Sequence, residues 1–238
     1  MSNKNEFLQA AMAPKLVKVS VHFAPGGIMV AEQVNVITYI KQMDIRRIFY
    51  AANLKVDEIG RFAKFLREVQ GLTRSEIIQR IPTALQEITG TRPTDKNAKK
   101  CAQDIFRLMK VLGVIDDDLC LTLDGEKLCR YRATNHQRFL DYIARLLLTR
   151  AGWVAVVTEI DQSRRGLLYA ASMKLLTETL VENLKEKKLM KRTDSWEMSA
   201  LIDCLVFLKI LKPWDPIQKL FDIDLERLYD VLVRKTFT

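Results

Sequence analysis

The chain has only two histidines and four cysteines among its 238 residues, and no apolar run of roughly 18 residues, the length a membrane-crossing helix needs. Each scarcity removes a class of function. With no apolar span, and with the polar start Met1-Ser-Asn-Lys-Asn-Glu instead of a signal sequence, the expectation is a cytoplasmic or nucleoid-associated protein with no membrane partner. Cys101, Cys120, Cys129 and Cys204 show neither CxxC spacing nor a nearby histidine to complete a zinc site, so no metal is expected. Cys101 and Cys204 fall within apolar helical patterns and read as small core residues. His22 and His136 are the only imidazoles, which leaves the commonest general base scarce. No G-x-S-x-G turn marks a nucleophile, and Gly26-Gly27 lacks the rest of a GxxxxGK[ST] phosphate loop. Glu186 and Lys188 share the E-x-K spacing of metal-dependent nucleases, but they lie in a helical pattern with no flanking apolar strand. The chain is therefore expected not to be an enzyme and to carry no cofactor.

What the chain does have is positive charge. The formal net charge is +9 and the pI about 9.4, a balance that favours polyanionic partners. Hydrophobic residues make up 48% of the chain, enough to bury a substantial core. The charge is patterned most clearly in residues 95–112. Lys96, Lys99, Lys100, Gln103, Arg107 and Lys110 recur at helical spacing on one stripe, while Ala98, Ala102, Ile105, Met109 and Leu112 recur on the opposite one. A charged outer face is what any surface helix needs, so the stripe alone does not make a binding site. The punctuation around it adds weight. Thr94 or Asp95 can cap the helix, and Gly113 stands where a left-handed residue ends one. Val114-Ile115 and Leu119-Cys-Leu121 can pair as a short hairpin across Asp116-Asp117-Asp118, after which Thr122 opens another helix.

Two helices precede this stretch. Residues 55–70 are amphipathic through Ile59, Phe62, Phe65, Leu66 and Val69, with Gly71 as their end. Thr73-Arg-Ser-Glu76 is a capping box opening a segment over 75–81, which Pro82 is expected to close. Helix, helix, basic helix, tight hairpin and then Thr122, Gly125 and Leu128 at the start of a further helix resemble a winged-helix domain, the helix-turn-helix variant with an appended β-wing. The resemblance covers roughly residues 55–131 and is one of fold pattern.

In winged helices that bind DNA, the third helix enters the major groove. Carried over residue by residue, Lys96, Asn97, Lys99, Lys100 and Gln103 would face base edges, since Lys can donate to guanine while Asn and Gln can pair with adenine. Arg92, Thr94, Arg107 and Lys110 would lie against the duplex, the arginines and Lys110 on phosphate. The turn Asp116-Asp117-Asp118 departs from this pattern, because phosphates would repel it.

Beyond this unit, residues 135–150 read as an amphipathic helix through Phe139, Tyr142, Ile143 and Leu146, with a break at Ala151-Gly152. A helical pattern over 167–189 ends in Lys185, Lys187, Lys188, Lys191 and Arg192. Asp194-Ser-Trp-Glu197 is a capping box for a helix reaching 211, apolar almost all round and so mostly buried, whose first turn holds Ser195, Trp196 and Ser199. A turn at Pro213-Trp-Asp-Pro216 and a last helix capped by Asp224 follow. Lys187, Lys188, Lys191, Arg192 and Ser195 could form a phosphate clamp, although lysines also suit a helix C-terminus on their own account. At the other end, 16–23 alternates as a strand, Pro25-Gly26-Gly27 turns, and 28–43 and 45–54 look helical, with Arg46, Arg47, Phe49 and Tyr50 mixing basic and aromatic groups.

The expected fold is mainly α: tandem winged-helix-like units with short β-hairpins and a small N-terminal α/β segment. The expected divisions are an N-terminal segment (1–54), a winged-helix domain (55–134), a connector helix (135–152) and a second helical domain (153–238). The expected function is sequence-specific binding of double-stranded DNA, as a transcriptional regulator or as the target-recognition part of a restriction system with cleavage supplied elsewhere. A winged-helix docking scaffold, with a protein partner or a second copy, is the alternative.

Overall fold

The first described helix, α1 (Val56–Glu68), starts where Glu58 reaches back to accept from the Lys55 N–H at 2.8 Å, and it buries Ile59, Phe62 and Leu66 on one stripe. The computed structural model describes residue 48 and residues 55–90, 95–164, 172–190 and 195–234; for 95–102, 163–164, 195–196 and 234 it describes the backbone alone. The strand and helices expected over 16–54 therefore lie outside the described residues, apart from Ile48, which is buried and donates its N–H to the Leu189 carbonyl at 2.9 Å. The described residues are mainly α-helical.

The order continues with α2 (Arg74–Thr89), α3 (Asp95–Val111), α4 (Leu123–Thr134), α5 (His136–Thr149), α6 (Val154–Arg164), α7 (Met173–Glu186), α8 (Ser195–Phe207) and α9 (Leu225–Tyr229), which runs into a π-helical turn (Asp230–Arg234). The helix expected to stop at Pro82 does not. In α2 the box of Thr73 and Glu76 starts the helix as expected, but Pro82 sits inside it and the helix ends only at Gly90, in the left-handed conformation. An interior proline costs about 3 kcal/mol through its missing N–H. Burial of Ile77, Ile81, Ala84 and Leu85 along one continuous stripe offsets this.

The chain from α3 to α4 is held by backbone bonds. The Gly113 N–H donates to the Lys110 carbonyl and the Val114 N–H to the Met109 carbonyl, both at 2.9 Å, a Schellman closure with Gly113 at φ 65°. The expected hairpin reduces to a single antiparallel bridge, Ile115 with Leu121. Thr122 then caps α4, accepting from the Gly125 N–H at 3.2 Å while its own hydroxyl donates to the Gly113 carbonyl at 2.5 Å. Gly125 is glycine for space: a Cβ there would lie 2.2 Å from the Val114 carbonyl oxygen.

The same joint recurs at the end of α8. Lys209, at φ 60°, donates to the Val206 carbonyl and Ile210 to the Leu205 carbonyl, so this helix closes at Phe207 rather than continuing to 211. Leu211 bridges Ile223, and Asp224 caps α9 by accepting from the Arg227 N–H at 2.9 Å. The carbonyl before each left-handed residue is also met by an arginine: Arg150 Nη1 donates to Leu112 at 2.6 Å and Arg227 Nε to Leu208 at 3.3 Å. Three helices, a bridge and a capped helix thus occur twice in order, first as α1 to α4 and again as α6 to α9.

Between them, α5 is buried through Phe139, Ile143, Leu147 and Leu148 and packs on α4 and on the C-terminal π-helical turn. Helix α6, which sequence periodicity does not disclose, is buried through Val154, Val156, Val157 and Ile160, with Thr158 and Gln162 only partly covered. One contiguous apolar cluster runs from Ile48 to Leu232. Among the described residues, no helix is long and apolar enough to cross a membrane.

Candidate functional site

Helix α3 turns Ile105, Leu108 and Met109 into the core, as does Leu112 just beyond its end, and this fixes what it can show to solvent. Gln103 and Arg107, one turn apart on the other face, are exposed. They continue the stripe of Lys96, Lys99 and Lys100, which belong with Asn97 to the first turns of α3, where the backbone alone is described. Arg92 and Thr94 lie outside the described residues, and Asp95, the other expected cap, is the first residue of α3.

At the far end of α3 the structure redistributes charge. Lys110 Nζ lies 2.9 Å from Asp117 Oδ1, and this hydrogen bond, with the charge of Lys110, holds the Asp117 carboxyl below its usual range. Lys110 thus has a carboxylate partner within the protein, on a side chain that is itself fully exposed. Asp116 is occupied too: its Oδ1 accepts from the N–H groups of Asp118 and Cys120, each at 2.9 Å, and so fixes the turn. Of the three acids that would repel a phosphate, one shapes the loop and one is paired with a lysine.

The joint under α3 is braced by a polar cluster. Asp124 accepts from the Tyr142 hydroxyl at 2.5 Å, and its other oxygen lies 2.6 Å from Arg150 Nη2. Burial pushes the Asp124 carboxyl up, but the Tyr142 and Arg150 hydrogen bonds outweigh it, and the net displacement is below the ordinary value. Burial, reinforced by the Asp124 carboxylate, pushes the Tyr142 hydroxyl well above its ordinary range. This cluster joins the end of α3, the start of α4 and the end of α5, so the angle at which α3 meets its neighbours is fixed by hydrogen bonds as well as by packing.

The second basic group is less open than its sequence suggests. Lys187, at the end of α7, pairs with the buried Glu159 of α6. Lys185 and Lys188 are exposed, with Lys188 at φ 58°. Lys191 and Arg192 lie outside the described residues, and of Ser195 only the backbone is described. Glu186 is exposed on the last turn of α7. No group of three or more His, Cys, Asp or Glu side chains that could hold a metal ion occurs among the described residues.

One cationic feature is not among those expected from the sequence. At the α4–α5 junction, Arg130, Tyr131, Thr134, Asn135 and Arg138 line an open cleft of about 540 Å³. The guanidinium carbons of Arg130 and Arg138 stand 5.4 and 4.7 Å from the centre of the Tyr131 ring. The signal available is the stretch 130–138, Arg-Tyr-Arg-Ala-Thr-Asn-His-Gln-Arg, with three arginines and no carboxylate.

Comparison with known proteins leaves the residues to speak for themselves: no protein-family model matches the chain, no curated protein matches it, no solved structure matches it, and none of the three comparisons points to the winged-helix superfamily.

Proposed function

We propose that the chain binds double-stranded DNA by laying α3 in the major groove, as tandem winged-helix-like units in which the first reads the sequence and the second adds phosphate contacts. The carrying observation is the division of α3 into a buried face and an exposed one. Gln103 and Arg107 face solvent in register with Lys96, Lys99 and Lys100 on the same stripe. Asn97, Lys99, Lys100 and Gln103 read bases, each good bidentate pair contributing roughly 1–3 kcal/mol of discrimination. Arg92, Thr94 and Arg107 contact the backbone. Lys188, Lys191, Arg192 and Ser195 supply the second set, while Lys110 and Lys187 mainly hold the fold through Asp117 and Glu159. The protein has no catalytic role in this reading and acts as a regulator or as the recognition part of a restriction-type assembly. Binding to a mixed-sequence duplex across a salt series tests it: several phosphate contacts require a log–log slope of about −0.9 per contact, and affinity indifferent to salt would sink the proposal.

Docking to a protein is the second reading, favoured by Ile217. This residue is 90% exposed on a tight turn that Asp215 Oδ1 fixes by accepting from the Ile217 and Gln218 N–H groups at 2.8 and 3.0 Å. In this reading the bare side chain is the point on the loop that an apolar partner surface would cover. Salt-independent association abolished by Ile217→Asp would favour this reading.

A further inference from the structure

The α4–α5 cleft does not belong to the α3 stripe. Its two arginines are eight residues apart in sequence, and the break between α4 and α5 brings both onto the Tyr131 ring. Their partners set them apart from the arginine between them. Arg132 is bonded to Asp57 through Nε at 3.3 Å and Nη2 at 3.4 Å, whereas neither Arg130 nor Arg138 has a carboxylate partner among the described residues. The ring they share is immobilised. Tyr131 is 3% exposed and packs edge-on against Tyr142 at 5.4 Å, and Tyr142 is tied to Asp124. Cation–π contact with a fixed ring holds each guanidinium in place before any ligand arrives, which lowers the ordering cost of binding.

The remaining lining completes a donor set. Asn135 Oδ1 accepts from the Arg138 N–H at 2.9 Å, which leaves the Asn135 amide nitrogen as a donor, and the Thr134 hydroxyl is committed to the Arg130 carbonyl at 2.8 Å. No carboxylate lines the cleft. Two planar cationic forks and an amide donor lining one cleft suit an anion with several acceptor oxygens in tetrahedral array. The volume, about 540 Å³, falls within the roughly 300–1,000 Å³ of small-molecule sites.

We propose that Arg130, Arg138 and Asn135 form a phosphate-binding site, taking either the phosphates of a free nucleotide or a phosphodiester of the DNA backbone. The site stands apart from the α3 reading and does not require it.

The test uses the full chain and two probes, ATP by calorimetry without magnesium and a mixed-sequence 24-mer duplex across a salt series. The variants are Arg130→Gln/Arg138→Gln, Arg138→Lys, and Lys99→Ala/Lys100→Ala/Gln103→Ala on α3. Both arginines are exposed, so the double variant is expected to fold, with its circular dichroism as the check; Arg138→Lys keeps the charge and serves if it does not. ATP binding that falls at least tenfold in the double variant, and severalfold in Arg138→Lys, assigns the site to free nucleotides. Duplex affinity that falls in the double variant, with a salt slope shallower by about 1–2 and no ATP binding, assigns it to the backbone. ATP binding without duplex binding would leave this site standing and remove the DNA reading. Duplex binding that depends on the α3 residues and is indifferent to both arginines, with no ATP bound, would overturn the site and keep that reading. Neither probe bound would overturn both.

Discussion

Among the described residues, the buried Asp141–Arg227 ion pair ties the second half of the chain to α5, and breaking it has a calculable consequence. Asp141 and Arg227, 86 residues apart, meet with side chains 4% and 13% exposed. Gln137 donates to the same Asp141 oxygen at 2.9 Å, and Arg227 Nε donates to the Leu208 carbonyl at the end of α8. Arg227→Met removes the guanidinium, deprives the buried Asp141 carboxylate of its cationic partner and takes a donor from the Leu208 carbonyl. Removing one partner of a buried pair costs about 3–5 kcal/mol, because the remaining charge keeps its desolvation penalty without its compensation. Total stability of a domain is about 5–15 kcal/mol, so the loss is a large share of it, equivalent to a fall of about 6–20 °C in Tm. The companion variant Asp141→Leu/Arg227→Met removes both charges and is expected to recover most of the loss, since apolar replacement of a whole buried pair is often neutral. Urea unfolding followed by circular dichroism measures all three proteins. A loss below 1 kcal/mol in Arg227→Met, or a double variant less stable than the single one, would refute the assignment of this pair as the anchor.

Gly125→Ala places a Cβ 2.2 Å from the Val114 carbonyl oxygen and 2.9 Å from a Leu121 methyl, so it is expected to cost about 1–3 kcal/mol; a Tm unchanged from wild type would show that the joint is loose. The Asp124 carboxyl is displaced below its ordinary value of 3.8 in the folded chain, so its contribution is complete above pH 3.8 and is lost as the pH falls through the lowered folded value. Asp124→Asn should therefore lose stability at neutral pH and fall less steeply than wild type below pH 4, whereas parallel stability curves would contradict the cluster. Burial pushes the thiols of Cys129 and Cys204 up to about 11, while Cys120 is exposed. A maleimide at pH 7.5 should label Cys120 in the native chain and the other two only after unfolding, as peptide mapping would show.

Where a feature depends on a few neighbouring residues, the amino-acid sequence alone discloses it. The Thr73–Glu76 box, the caps at Thr122 and Asp224, and Gly113 in the left-handed region are all found where local chemistry puts them. The stripe 105, 109, 112 is buried for the same reason: helical spacing settles which face is apolar. Features decided by distant partners are not legible in this way. Pro82 reads as a stop, and only the packing of Ile81, Ala84 and Leu85 carries the helix through it. Helix α6 opens with Val154-Ala-Val-Val157 and ends in mainly polar residues from Thr158 on, so apolar and polar positions separate along its length and no face sets a period. Lys110 and Lys187 read as phosphate ligands, and the pairing of Lys187 with Glu159, 28 residues away, is not visible in the sequence. The Arg130 and Arg138 pair depends on the bend between α4 and α5, which the helical periodicity on either side does not specify.

The central claim, that α3 reads DNA, is tested most directly by selecting from a randomised duplex pool with wild type and with Lys99→Ala/Lys100→Ala/Gln103→Ala. The account predicts that wild type enriches a shared sequence and that the folded triple variant does not. No enrichment by wild type at low salt, or enrichment that survives in the triple variant, would contradict it.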